Sequence, residues 1–380
     1  MRVEIKPSLL RWARERAGFS LDALSRRFPQ IDLWERGEEQ PTLKQLEALA
    51  KATYTPIGFL FLSDPPEEKV PIPDFRTIAN EVLSQPSPDL LDTLYLCQQR
   101  QDWYREFLLV EGEKSLPFVG SARVGEDVIR VARRMRDVLH FDLKERQVIP
   151  TWTDALRHFI ERADGAGVLV MVSGVVGSNN RRKLDPKEFR GFALADDLAP
   201  LVFINGADTK AAQMFTLAHE LAHIWIGQSA LSDAQISEVP GRKVEQWCNH
   251  VAAEFLVPME AFQEELNHQA ELRAELERLA RRFKVSKLVI LRRMHDAGAL
   301  STEAYREAYA QELKQLREMA KGTGGDFYLT LGARVGKRFA RALVISTMEG
   351  RSSFSEALRL LNFRKISTFD ELGRSLGVVL

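Results

Sequence analysis

One run near the middle of the chain constrains the fold more than any other: Met214-Phe215-Thr216-Leu217-Ala218-His219-Glu220-Leu221-Ala222-His223-Ile224-Trp225. At helical spacing its apolar residues fall on nearly every side, which predicts a helix buried deep in a domain. Burying two histidines and a glutamate without partners would cost several kcal/mol. A metal removes that cost. His219 and His223 are four apart, so they lie one above the other and aim two imidazoles at one point. Glu220 follows the first of them directly, where its carboxylate can reach a metal-activated water as a general base without joining the ligands. The alternative is a pair of core histidines satisfied by hydrogen bonds, with Glu220 at the surface.

A catalytic zinc needs a third protein ligand and an open fourth position. Downstream, Val244 to Val257 reads as an amphipathic helix stopped before Pro258, and it offers Glu245, His250 and Glu254. Spacing alone leaves that choice open, and Glu245 could equally be an ordinary solvated carboxylate. Glu245 and Asn249 share a face with Ala252 and Ala253, whose small side chains permit close approach to the first helix; Asn249 there could orient a ligand from behind.

Upstream, Gly167 to Val172, Gly191 to Ala195 and Leu201 to Asn205 read as three strands among helices over 88–110, 124–139 and 151–163. The fold class expected is α+β, mostly helical, with a small three-stranded sheet beside the metal helix and helical domains at both ends. Val202, Phe203 and Ile204 could hold an extended substrate by strand addition, or simply be a buried structural strand. Gly174, Gly177 and Arg181-Arg182-Lys183 fit no phosphate-binding spacing and read as a mobile surface loop. The arginines of the 124–139 segment read as a solvated helix face.

Residues 1–64 read as five short helices, ending at a Pro-rich linker over 65–80. Ser20-Leu21-Asp22-Ala23-Leu24, Trp34-Glu35-Arg36-Gly37 and Pro41-Thr42-Leu43 resemble the XRE-type helix-turn-helix of phage repressors. Between the second helix, read as Leu21 to Phe28, and Trp34 there are only Pro29-Gln30-Ile31-Asp32-Leu33, too short for several base-reading side chains. Ten basic residues stand against nine acidic ones over 1–64, and Glu35, Glu38 and Glu39 cluster where phosphates would approach. DNA binding is therefore doubtful here, and a helical partner-binding or regulatory module is the stronger expectation. At the other end, Gly322-Thr323-Gly324-Gly325 marks a boundary before a helical domain over 322–380, after a helical extension over 261–321. Arg334, Lys337, Arg338 and Arg341 form a stripe that could contact nucleic acid or an acidic partner, although a solvated face is the plainer reading.

Net charge is zero, so nothing global argues for nucleic acid or membrane. Two cysteines without metal spacing, the lack of an apolar leader after Met1-Arg2-Val3-Glu4, and the lack of a run of about 18 apolar residues lead us to expect a cytoplasmic protein with no membrane partner.

The run from Gln213 to His223, the strand Leu201 to Asn205 and the later Glu245-x-x-Cys248-Asn249-x-x-Ala252-Ala253-Glu254-Phe255-Leu256-Val257-Pro258 are similar to the ImmA/IrrE family of zinc metallopeptidases. The resemblance covers 150–260 and reaches residues 1–80 through the repressor-like module that some members carry. Cys248 stands where alanine is commoner, and Val257 where methionine is commoner. What the resemblance implies is a Zn2+ site of Glu-zincin type, with Glu245 as third ligand beside His219 and His223 and Glu220 as catalytic base. It further implies an endopeptidase with a narrow protein substrate, a repressor-type transcription factor in a stress or mobile-element response. The alternative of another class is a transcription regulator or antitoxin-like binding protein that uses the peptidase fold as a sensor or scaffold.

Overall fold

The computed structural model describes residues 2–75, 85–232, 243–319 and 332–378. The glycine-rich boundary expected over 322–325 lies outside them. The chain divides into two compact units, Met1–Pro71 with Val82–Leu94, and Ile72–Glu81 with Tyr95–Leu380.

The first unit holds helices Pro7–Arg16, Leu21–Ser25, Ile31–Arg36 and Leu43–Ala52 and a 3-10 turn, Ile57–Phe61. Short polar side chains set the starts: Ser20 accepts from the Ala23 N–H, and Thr42 and Gln45 form a reciprocal capping box. Leu9, Leu10, Ala13, Leu24, Ile31, Trp34, Leu46 and Leu49 form the core. Two expectations are corrected here. The second helix ends at Ser25 rather than Phe28, and a six-residue helix follows that closes on Gly37 in the left-handed region, φ 77°. Glu35 does not face outward with Glu38 and Glu39: it is buried, and its two oxygens take Arg14 Nε and Nη2 at 2.7 and 2.9 Å.

Among the described residues the second unit is built on a mixed sheet of four strands, not three. β1 (Leu169–Ser173), β2 (Gly191–Leu194), β3 (Leu201–Asn205) and β4 (Ala230–Ser232) stand in the order β1-β3-β2-β4. β1 pairs parallel with β3, and β2 pairs antiparallel with both β3 and β4. The strands are buried throughout and read as apolar runs because both faces are covered. Val170, Val172, Ala193, Val202 and Ile204 join the core that contains Met214, Ala218, Leu221 and Ala222 of the helix Lys210–Trp225. On the opposite face Phe192 stacks on Phe203, 5.0 Å between centroids, and Met171 meets Cys97 and Arg100 of the helix Pro88–Val110.

β3 is an interior strand. With β1 on one side and β2 on the other it has no free edge, so Val202, Phe203 and Ile204 are structural and cannot take a substrate by strand addition. No helix among the described residues is long and apolar enough to cross a membrane.

Candidate metal centre

The helix Lys210–Trp225 begins at Thr209, whose hydroxyl accepts from the Ala212 N–H at 3.2 Å, and every residue from Gln213 to Trp225 is buried. Its far end is fixed by the loop before the helix Val128–Leu139: the Gly120 and Ala122 N–H groups donate to the Ile224 and Trp225 carbonyls at 3.1 and 2.9 Å, and Phe118 stacks on Trp225 at 4.5 Å. The chain leaves at Gly227, whose φ of 67° suits glycine.

The helix Lys243–Leu256 packs beside it and supplies the remaining groups. His219 Nε2 lies 3.2 Å from His223 Nε2 and 3.2 Å from Glu245 Oε2, and His223 Nε2 lies 3.0 Å from Glu245 Oε1. Tetrahedral ligands at a Zn–N distance of ~2.0–2.1 Å would stand about 3.3 Å apart, so the three residues fit such an ion. His219, His223 and Glu245 could hold a metal. The polar satisfaction of the site points the same way. Both oxygens of Glu220, Oε1 of Glu245 and Nδ1 of His223 are buried without a well-formed hydrogen bond among the described residues, which is costly in a dry core unless a cation is present.

Asn249, one turn after Glu245, receives the His219 Nδ1–H at 2.9 Å, the tautomer that leaves Nε2 free toward the cluster. Of the other candidates on this helix, His250 is exposed and meets Arg292 Nη2 at 3.0 Å, and Glu254 is buried in an ion pair with Arg293.

Electrostatics separate the two carboxylates. Burial pushes Glu220 up to about 8; His219 and Ser232 pull the other way and do not compensate. Burial would also raise Glu245, but His219 and His223 against it hold it well below the usual carboxylate range. Burial lowers His223, which favours the neutral ring that metal ligation requires.

Three features of the site escape a reading of the sequence. Gly191 opens β2 directly under Glu220: a Cβ there would meet Glu220 Oε1 at 3.1 Å and Thr216 Cγ2 at 2.6 Å. Ser232, paired with Gly191 across β2 and β4, brings its hydroxyl to 3.5 Å from His223 Nε2. Arginines from distant elements close the C-terminal end of the helix Lys243–Leu256: Arg136 donates to the Glu254 and Phe255 carbonyls at 2.8 and 3.3 Å, Arg146 to Leu256, and Arg293 to Val257 at 2.9 Å. Cations there suit the negative end of the helix dipole and fix the element that carries Glu245. Arg136 was expected on a solvated face and is not.

The C-terminal stripe is also largely committed. Lys337 pairs with Glu161 at 3.1 Å, Arg338 donates to the Asp164 carbonyl at 2.7 Å, and Arg334 reaches Asn180 at 3.4 Å, while Arg341 is exposed.

Residues 335–375 match a domain of unknown function, DUF8813. No curated protein matches the chain. Residues 163–295 match the IrrE N-terminal-like domain, a peptidase family, and this segment, which contains the sheet, both site helices and the whole His-His-Glu cluster, thereby finds support for a place in the ImmA/IrrE family.

Proposed function

We propose that the chain is a zinc-dependent endopeptidase of Glu-zincin type, with His219, His223 and Glu245 as ligands, Glu220 as general base and Asn249 orienting His219. The observation that carries this reading is the convergence of those three ligands beside a buried carboxylate, Glu220, that lacks a well-formed hydrogen bond. A zinc ion bound there supplies Lewis acidity, activating water and polarising a carbonyl. The protein's part is the proton. Glu220, buried within the site, can as a carboxylate accept a proton from water and return it to a leaving amine. Asn249 keeps the His219 ring in one tautomer, and the apolar residues around the helix exclude bulk water. The substrate we favour is a repressor-type regulator in a stress or mobile-element response, with the first unit as a partner-binding module.

Metal analysis of the purified chain tests the core of this. About one zinc per chain is expected, retained in Glu220→Gln with hydrolysis abolished, and lost or much weakened in Glu245→Ala. A wild type that takes up no zinc when zinc is supplied overturns the reading.

A further inference from the structure

β4 ends the sheet on the side of the metal cluster, and its outer edge is already taken. Asp74 forms a parallel bridge with Leu231; the Leu231 N–H donates to the Pro73 carbonyl and the Phe75 N–H donates to the Leu231 carbonyl, each at 2.9 Å. The Phe75 ring stacks on the His223 imidazole, 6.2 Å between centroids and 20° between planes. Ser232, the next residue along β4, is the one whose hydroxyl approaches His223. An extended polypeptide reaching the cluster would use these same Leu231 groups, because strand addition needs a free edge and β3 and β2 have none.

The segment's own sequence limits its main-chain pairing. Pro73 and Phe75 flank the bridge on its bonding side, and Pro73 carries no N–H, so of the two Phe75 alone can donate to β4. Pro73 and Asp74 are exposed and Phe75 is half-buried. The Pro73 carbonyl and the Phe75 N–H thus occupy the outer edge of β4 at Leu231, and the Phe75 ring covers a candidate ligand.

We propose that Pro73–Phe75 is a self-inhibitory strap. It fills the strand-addition site on β4 and places an aromatic ring over His223, where the aromatic or large apolar side chain of an extended protein segment would otherwise sit. The substrate binds only when the strap leaves. This rests on the peptidase reading above.

The test uses the full chain with Phe75→Ala, which removes the ring, and Phe75→Pro, which also removes the donor. Hydrogen exchange is read at the Leu231 amide. Binding is read with a labelled synthetic peptide of residues 69–75, amidated at its end. The expected result is exchange at Leu231 faster by about tenfold or more in both variants. The peptide should bind Phe75→Ala about tenfold more tightly than wild type and restore protection at Leu231. Unchanged exchange overturns the strap, as does faster exchange without peptide binding, since the edge would then open without accepting an extended chain. Neither readout needs metal, so the two readings fail separately: absent zinc uptake removes the peptidase, unchanged Leu231 exchange removes the strap.

Discussion

Gly191 allows the spacing between sheet and helix to be tested without touching a proposed ligand. It stands opposite Ile204 on β3 and Ser232 on β4, on the face toward the helix Lys210–Trp225. A Cβ added there would lie 2.6 Å from Thr216 Cγ2, 2.8 Å from Phe203 O and 3.1 Å from Glu220 Oε1. The first two distances are well inside van der Waals contact. Phe203 O belongs to the main chain of an interior strand and Thr216 is 1% exposed, so neither can swing aside, and strand and helix must separate. Overpacking of a close-packed core costs ~1–3 kcal/mol, and a clash with main chain places Gly191→Ala toward the upper end. The same displacement moves Glu220, and errors of about 1 Å in a catalytic group cost on the order of 100-fold in rate. The ligand set, carried on helices, should be spared. Urea unfolding should therefore show a loss of roughly 2–3 kcal/mol, and hydrolysis of a protein substrate should fall by about 10–100-fold, while zinc stoichiometry stays at about one. A variant with wild-type midpoint and turnover would refute the argument, because the sheet and helix would then have room that the distances deny.

Three further outcomes are expected. Asn249→Ala removes the acceptor for His219 Nδ1–H and should weaken zinc binding by about 10–100-fold in a competition titration, with Asn249→Asp retaining most of it; equal affinities in all three proteins would count against an orienting role. Arg293→Met strands Glu254, which is 5% exposed, and should cost ~3–5 kcal/mol by urea unfolding, part of which returns in Arg293→Met with Glu254→Gln; strictly additive losses would show that the pair is not coupled. Asp164 is raised by burial to about 6 against a reference of 3.8, with Arg338 opposing the shift. Its folded form binds the proton more tightly than the unfolded form, so its contribution falls as pH rises from about 4 through about 6, by at most ~3 kcal/mol. Asp164→Asn should accordingly raise Tm at pH 7.5 and not at pH 4, and a gap independent of pH would show that the carboxyl is ionised throughout.

What could be read from the sequence depended on whether an element carries its own repeat. The helix Lys210–Trp225 spans four turns with a capping threonine and a terminal glycine, and Leu201–Asn205 is a run of four apolar residues ended by an asparagine; local pattern located both. β4 has three residues and no period. It is a strand because Gly191–Ala193 offers it a partner, a fact of tertiary pairing. The six-residue helix Ile31–Arg36 is likewise fixed from outside, by Ile31 and Trp34 in the core and by Arg14 on Glu35. An apolar run also cannot tell an interior strand from an edge, which is why β3 could be taken for a substrate strand. Arg136 looks like one of several solvated arginines until the fold brings it to carbonyls 118 and 119 positions away.

The proposed third ligand shows where periodicity stops deciding. Glu245 and Asn249 are one turn apart and share a face. His250 lies about 140° round the helix from Glu245, and Glu254 about 180° from it, at about 100° per residue. Glu245 therefore cannot point at His219 together with either of the other two, which lie within about 40° of each other, and phase alone fixes that much. Which face turns inward depends on what binds the others. Arg293 takes Glu254 into a buried pair, Arg292 holds His250 at the surface, and Asn249 spends its oxygen on His219. Each of these partners lies at least 30 residues from its mate. The proposed choice of Glu245 thus rests on long-range pairing that engages its two competitors, and a chain with the same helix but without Arg292 and Arg293 would lose part of that selection before it lost the helix.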